Sequence, residues 1–113
     1  MRDIKFRVWI PQTKLMEYDI PMFGDSNILF KRLNHEDVEY IVMQYIVLHD
    51  KNGKEIYEGD ICESDLMFSN NKIRGVIEYH GLCFKLKTKD DIYISPFSIK
   101  ILGNIYENQE LLE

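Results

Sequence analysis

The sequence predicts a mainly β protein with little helix. Short runs rich in β-branched and aromatic residues recur along the chain, and polar turn residues separate them at intervals of about 8–12 residues. The 113 residues include seven Tyr and six Phe, which pack well on a pleated surface. We therefore expect one domain of short antiparallel strands, with an SH3-like small barrel in residues 49–113 and an N-terminal β layer in residues 1–48.

The N-terminal layer begins with a clear alternating strand. In residues 3–10 apolar side chains alternate with polar ones, which predicts a half-buried strand. Trp9 lies on the polar face, where it would either be covered by a neighbouring loop or anchor an interface. A turn at residues 11–14 should return the chain into a second strand at Leu15–Tyr18.

The rest of this layer ends in a long apolar run at Val38–Leu48. Residues 19–26 are predicted as a loop. Asn27–Leu33 is interpreted as a strand, although Ser26 would also suit the start of a short helix. Because Val38–Leu48 is apolar on both faces, we expect the core to cover one face and another segment or subunit to cover the other.

Turn residues organise the C-terminal half. Asn52-Gly53 tolerates positive φ and predicts a tight turn at Asp50–Gly53, with a second turn at Gly59-Asp60. His80-Gly81 predicts a hairpin between strands at residues 73–79 and 82–87. The segment at residues 55–63 carries Ile56 and Tyr57 before the Gly59-Asp60 turn and Ile61-Cys62 after it. Other predicted elements are a loop at 64–72, strands at 93–94 and 97–106, and one helical turn at 107–113 capped by Asn108.

Composition bounds the functional classes. The net charge of −5 argues against wholesale nucleic-acid binding, since phosphate recognition usually requires a basic footprint. No signal peptide and no apolar run of the roughly 20 residues that span a membrane is visible, so we expect a soluble cytoplasmic protein without a membrane partner. Cys62 and Cys83 could form one bridge, but a cytosolic chain more often keeps them reduced.

The sequence indicates no catalytic site. Only His80 and Cys83 have the spacing of a metal-ligand pair, and no second pair completes a tetrahedral set. The carboxylates fall at turns, where they are expected to be solvated, and no phosphate-binding glycine pattern occurs. We therefore expect a protein that is not an enzyme and has no cofactor and no metal.

One local basic face is conceivable. Lys85 and Lys87 should share a strand face, and aromatic Tyr79 and Tyr93 are close in sequence. Small β-barrels bind single-stranded nucleic acid through such mixed faces, although lysines also protect edge strands from mispairing. The candidate nucleic-acid residues are Lys72, Arg74, Lys85, Lys87 and Lys89.

Several blocks of the chain resemble the YopX family of small proteins from bacteriophages and prophages. Two residues depart from the family's usual pattern: Val47 stands in an Ile-Val pair where the family commonly has Thr-Gly, and Gln109 stands where it commonly has Pro. The first departure removes a flexible Gly at a strand end, and the second leaves the tail less firmly turned. The matching blocks are Met1–Trp9, Met43–Tyr45, Asp50–Ile61, Gly75–Tyr79, Gly103–Asn108 and Glu110–Glu113.

The resemblance implies a phage or prophage gene expressed in a bacterial cytoplasm, and it implies no established reaction, cofactor or catalytic residue. Family members look like subunits of homo-oligomers. We therefore expect a non-enzymatic accessory protein that assembles with itself and binds an unknown phage or host protein, with single-stranded nucleic-acid binding as the alternative. The partner-binding candidates, whose aromatic members are expected on exposed faces, are Trp9, Tyr45, Lys54, Tyr57 and Asp60.

Overall fold

The computed structural model describes residues 4–18, 39–65, 71–95 and 98–112. The predicted loop at residues 19–26, the predicted strand at Asn27–Leu33 and most of the predicted loop at residues 64–72 lie outside this described part. The described elements are β1 (Phe6–Ile10), β2 (Leu15–Glu17), β3 (Ile41–His49), β4 (Glu55–Tyr57), β5 (Asp60–Asp65), β6 (Lys72–His80), β7 (Cys83–Thr88), β8 (Tyr93–Ile94), β9 (Ile99–Asn104) and a 3-10 turn (Gln109–Leu112).

The chain divides into two compact units, residues 1–45 and residues 46–113. The boundary predicted from the sequence, between the N-terminal layer and the rest of the chain, lies three residues later, after Leu48. Strand β3 contributes its first part to the first unit and its last four residues to the second.

The first unit is built on β1, which pairs antiparallel with both β2 and β3. The predicted alternation in β1 is only half realised, because the neighbouring side chains Arg7, Val8, Trp9 and Ile10 are all buried. A strand that is covered on both faces no longer separates into a core side and a solvent side. The sheet to which β1 belongs has the order β2-β1-β3-β4 and curls into a half-barrel.

The second unit contains a five-stranded antiparallel sheet with the order β8-β7-β6-β5-β9. Its core is an aliphatic cluster that includes the fully buried Ile56, Cys62, Ile77 and Leu86. Buried and less buried side chains alternate along much of β6 and β7, where Ile77 and Leu86 lie on the core face. The opposite face of this sheet carries charged side chains, and we call it the charged face.

The predicted fold class is confirmed: the described residues form two antiparallel sheets and contain no α-helix. The five-stranded sheet, predicted to be an SH3-like small barrel, is not closed. No helix in the described ranges is long and apolar enough to cross a membrane.

The predicted turns are present. Gly53, Gly59 and Gly81 all adopt positive φ, which costs glycine little. In the β6–β7 hairpin, His80 pairs with Cys83, so Gly81 and Leu82 form a two-residue loop with glycine first, as in a type II′ turn. The predicted turn residues therefore set the register of the two strands that carry most of the charged face.

Candidate functional site

The charged face owes its composition to strand register. In an antiparallel ladder, residues directly opposite each other point to the same face. The β5–β6 ladder places Glu63 opposite Arg74 and Asp65 opposite Lys72. The β6–β7 ladder continues the pattern with Glu78 opposite Lys85. Cations and carboxylates therefore face each other across the strands.

Ion pairs link these opposite charges. The Nζ atom of Lys72 lies 3.5 Å from Oε1 of Glu63 and 4.0 Å from Oδ1 of Asp65. The Nζ atom of Lys87 lies 3.7 Å from Glu78 and 3.4 Å from Asp91. Exposed pairs of this kind add little stability, but each one cancels a charge that a polyanion would otherwise meet.

Two groups of the second unit have shifted pKa values for the same reason. The hydrogen bond from Lys51, 2.9 Å long, is the main cause that lowers the pKa of Asp65, and a second bond to Ser98 assists it. The hydrogen bond to Asp91 raises the pKa of Lys87, and the charge of Glu78 adds to the effect. Both groups are thereby held in their charged forms.

A cavity of about 400 Å³ opens at one end of the charged face. Strands β5 and β6 supply Glu63, Lys72, Ile73 and Arg74, and the end of β7 with its following turn supplies Thr88, Lys89 and Asp90. The 3-10 turn supplies Leu111 and Leu112. Among the described residues, the lining thus combines three cations and two carboxylates, a net of one positive charge, with an aliphatic wall.

An asparagine pair leads the chain into the 3-10 turn at this cavity. The side-chain oxygen of Asn104 accepts hydrogen bonds from the N–H groups of Tyr106 and Glu107, at 3.0 and 2.9 Å. The side-chain oxygen of Asn108 accepts one from the Asn104 N–H at 3.1 Å. Asn108 was predicted to cap the turn, but its carboxamide bonds back to the end of β9 instead.

Arg74 connects the turn to the sheet. Its Nη1 donates a hydrogen bond of 2.9 Å to the carbonyl oxygen of Leu111. A guanidinium carries five N–H donors, and this bond uses one of them. It therefore positions the Arg74 side chain while other N–H donors of the guanidinium remain for further hydrogen bonds.

The five predicted basic residues therefore separate into two groups. Lys72, Arg74 and Lys89 line the cavity. Lys85 donates to the Ser95 hydroxyl at 3.0 Å, and Lys87 is held by its two carboxylates.

The aromatic residues predicted near the basic face are already in contact with other rings. Tyr93 stacks on His80 with ring centroids 3.7 Å apart and planes 9° apart. Tyr79 meets Phe84 edge to face at 5.2 Å. Base stacking needs an open ring face, and the His80 ring covers one face of Tyr93.

Three of the five partner-binding candidates lie where the sequence did not predict them. Trp9, Tyr45 and Tyr57 were expected on exposed faces, and that expectation is wrong: their exposed fractions are 7, 3 and 2%. Asp60 is 2% exposed and accepts the Tyr57 N–H at 2.8 Å, which closes the turn at Gly59. Lys54 alone is exposed. The partner-binding role of these residues stays a prediction.

The residues that complete the cavity were missed because no linear pattern joins them. The register of β5, β6 and β7 brings Glu63 and Thr88 to the same end of the sheet, and Asp90 and Leu112 join them from the turn after β7 and from the 3-10 turn. A second cavity of about 270 Å³ lies beside the Asp50 turn, and its lining includes Leu48, His49, Lys51, Ile56, Ser98 and Ile99.

Cys62 and Cys83 are both free, the first buried and the second exposed. Among the described residues, no group of three or more His, Cys, Asp or Glu side chains is placed to hold a metal ion.

Comparison with known proteins identifies the family. The profile described as YopX protein matches residues 5–113, which is almost the whole chain. The chain belongs to the YopX family. The predicted resemblance is thereby confirmed.

A solved structure of similar fold is protein EF1440 from Enterococcus faecalis, a crystal structure. The two sequences are 28% identical, the TM-score of the superposition is 0.70, and the match covers 100% of this chain and 100% of that chain. No curated protein matches this YopX family sequence.

Proposed function

We propose that this YopX family protein is a non-enzymatic phage or prophage accessory protein that acts by assembling with itself and by binding a protein partner in the bacterial cytoplasm. Family membership supports the phage setting. The acidic net charge of −5 favours a protein surface over a nucleic acid as the partner.

The observation that carries this proposal is the internal neutralisation of the charged face. Lys72 and Lys87, two of the five basic candidates, each lie within 4.0 Å of two carboxylates. A nucleic acid would have to displace these carboxylates or accept their repulsion. Protein surfaces of mixed charge meet no such penalty, because they can offer both signs in return.

Exposed apolar side chains support self-assembly. The long apolar run predicted at Val38–Leu48 was expected to require cover on two faces. In β3, Val42, Val47 and Leu48 remain 39, 42 and 50% exposed. Leu82 at the β6–β7 turn is 95% exposed. Apolar surface of this kind is a common component of subunit interfaces.

Light scattering coupled to gel filtration tests the self-assembly. The chain mass is 13.5 kDa. We expect the particle mass measured by light scattering to be a whole multiple of this value that corresponds to more than one chain. Leu48→Lys should shift the distribution toward the single chain, whereas Lys54→Gln, an exposed change in the same hairpin, should not. A mass of one chain at every concentration would refute the self-assembly.

Single-stranded nucleic-acid binding is the second candidate, favoured by the meeting of Lys72, Arg74 and Lys89 at one cavity. A labelled oligothymidylate titrated at low ionic strength distinguishes the two functions. We expect no saturable binding. Binding that weakens steeply as salt rises would favour the nucleic-acid function instead.

A further inference from the structure

The cavity between β5, β6, the turn after β7 and the 3-10 turn has the chemistry of a peptide site. We propose that it binds a segment of a protein partner in which acidic and aliphatic residues alternate. This inference rests on the proposed protein-binding function and names the site and the partner chemistry for it. The sequence-based partner candidates are not part of this cavity.

The cations of the cavity are not equally available. Lys72 is compensated by Glu63 and Asp65. Arg74 makes one hydrogen bond, to Leu111, and in the described ranges no other hydrogen bond engages it. Of the other described charges in the lining, Arg74 and Lys89 outnumber the single carboxylate of Asp90, which leaves one positive charge for an incoming carboxylate. Arginine can bind a carboxylate through two parallel N–H donors.

The aliphatic wall supplies the second half of the recognition. Ile73 and Leu111 are partly buried, and Leu112, which also lines the cavity, is 38% exposed. An aliphatic side chain placed on this wall would remove apolar surface of both partners from water. A site that pairs one carboxylate with one aliphatic contact is selective for a segment carrying both.

Three properties favour a peptide over a nucleic acid at this cavity. None of the described lining residues is aromatic, so among them bases would find no stacking partner. Glu63 and Asp90 would repel neighbouring phosphates of a continuous strand. A volume of about 400 Å³ suits a small ligand or a few side chains.

The test measures fluorescence anisotropy of a labelled peptide of alternating Glu and Leu, added to the full chain. We expect saturable binding. The double variant Arg74→Gln/Lys89→Gln should bind about tenfold more weakly, since it loses two charge-assisted contacts. The double variant Lys14→Gln/Lys85→Gln changes the net charge by the same amount at residues outside the cavity and should bind as the native protein does. Thermal unfolding of both variants establishes that they are folded.

A second pair of variants tests the aliphatic wall. Leu112→Ser should weaken peptide binding by about threefold to tenfold, because it removes part of the apolar contact. Leu82→Ser alters a more exposed leucine at the distant β6–β7 turn and should leave the affinity unchanged. Equal losses in the two variants would contradict the assigned site.

Several outcomes overturn the inference. No binding up to about 1 mM peptide, the weak end of specific affinities, would refute it. Equal loss in both charge variants would show a non-specific charge effect, and displacement of the peptide by oligothymidylate of equal charge would assign the cavity to phosphate. The two proposals can fail separately. If no cellular partner is found, measured binding of the peptide would still support the cavity as a peptide site. If the peptide does not bind, a cellular partner bound through another surface would still support the proposed function.

Discussion

At Val47 the backbone adopts a φ of 65°, in the left-handed region that β-branched residues rarely enter. This position is the one where the YopX family commonly carries Gly. The side chain is 42% exposed, so little packing is lost when it is removed. The strain of this residue could not be derived from periodicity, which predicts an ordinary strand here.

We expect Val47→Gly to raise the free energy of unfolding by about 0.5–1 kcal/mol, because relief of the left-handed strain exceeds the entropy that glycine loses on folding. Denaturation in urea measures the change. Leu48→Gly is the matched control: Leu48 is also exposed but has no positive φ, and its replacement should lower stability. A loss of stability in both variants would contradict the strain at Val47.

Asp50 holds the turn between β3 and β4. Its Oδ1 accepts the N–H groups of Asn52 and Lys54, both at 2.9 Å, and its Oδ2 accepts the N–H of Ile101 in β9 at 3.0 Å. Burial alone raises the pKa of this carboxyl. The backbone donors, led by Ile101, outweigh burial and lower the pKa below its ordinary value of 3.8.

Asp50→Asn should lower the free energy of unfolding by about 2 kcal/mol at neutral pH, because an amide nitrogen would meet backbone donors in place of a carboxylate oxygen. The lowered pKa means that this stabilisation is present above pH 3.8 and is lost as the pH falls through the folded-state pKa. Thermal unfolding between pH 7 and pH 2.5 should therefore show the difference from the variant shrinking only at the acid end. A constant difference, or an effect matched by the exposed Asp90→Asn, would contradict this role.

At the scale of the element, the family signature at residues 50–61 builds two turns. Asp50 and Gly53 shape the first, and Gly59 with Asp60 shapes the second. Turn residues predicted these positions correctly because their conformational preferences are local. The bond from Asp50 to Ile101 spans 51 positions in sequence, and no local preference encodes it.

The prediction that β1 is buried on one face only was wrong for a related reason. Alternation in residues 3–10 assumes that one face of the strand meets water, yet Arg7 on the supposed polar face is itself only 2% exposed. Burial of a polar face depends on what packs against it. The sequence pattern of a single strand cannot contain that information.

The close approach of β6 and β7 depends on Gly75. A Cβ atom at this position would lie 2.5 Å from the backbone oxygen of Lys87. Gly75→Ala should lower the free energy of unfolding by about 2 kcal/mol, since the strands must separate to accept it. Gly53→Ala, where a Cβ would meet nothing within 4 Å, should cost only its left-handed strain, about 1 kcal/mol. Urea denaturation compares the two, and a larger loss in Gly53→Ala would contradict the packing at Gly75.

Over the whole molecule, charge is arranged in opposed pairs as well as in a net excess of acid. The sequence predicted the basic residues of the charged face but not their compensation, because Glu63, Glu78 and Asp91 approach them only through strand register and turns. The fold class was predictable from turn spacing and strand composition. The cavity was not, since its lining comes from separate elements that include a 3-10 turn near residue 110.

The central claim is that the protein acts through a protein partner. Its most direct test is an affinity pull-down of the tagged chain from phage-carrying host cells, with and without nuclease, using native protein beside Arg74→Gln/Lys89→Gln and Lys14→Gln/Lys85→Gln. We expect the native chain to recover a stoichiometric protein whose binding survives nuclease, and we expect this protein to be depleted with the first variant and retained with the second. Recovery of nucleic acid, or of partners that disappear on nuclease treatment, would contradict it.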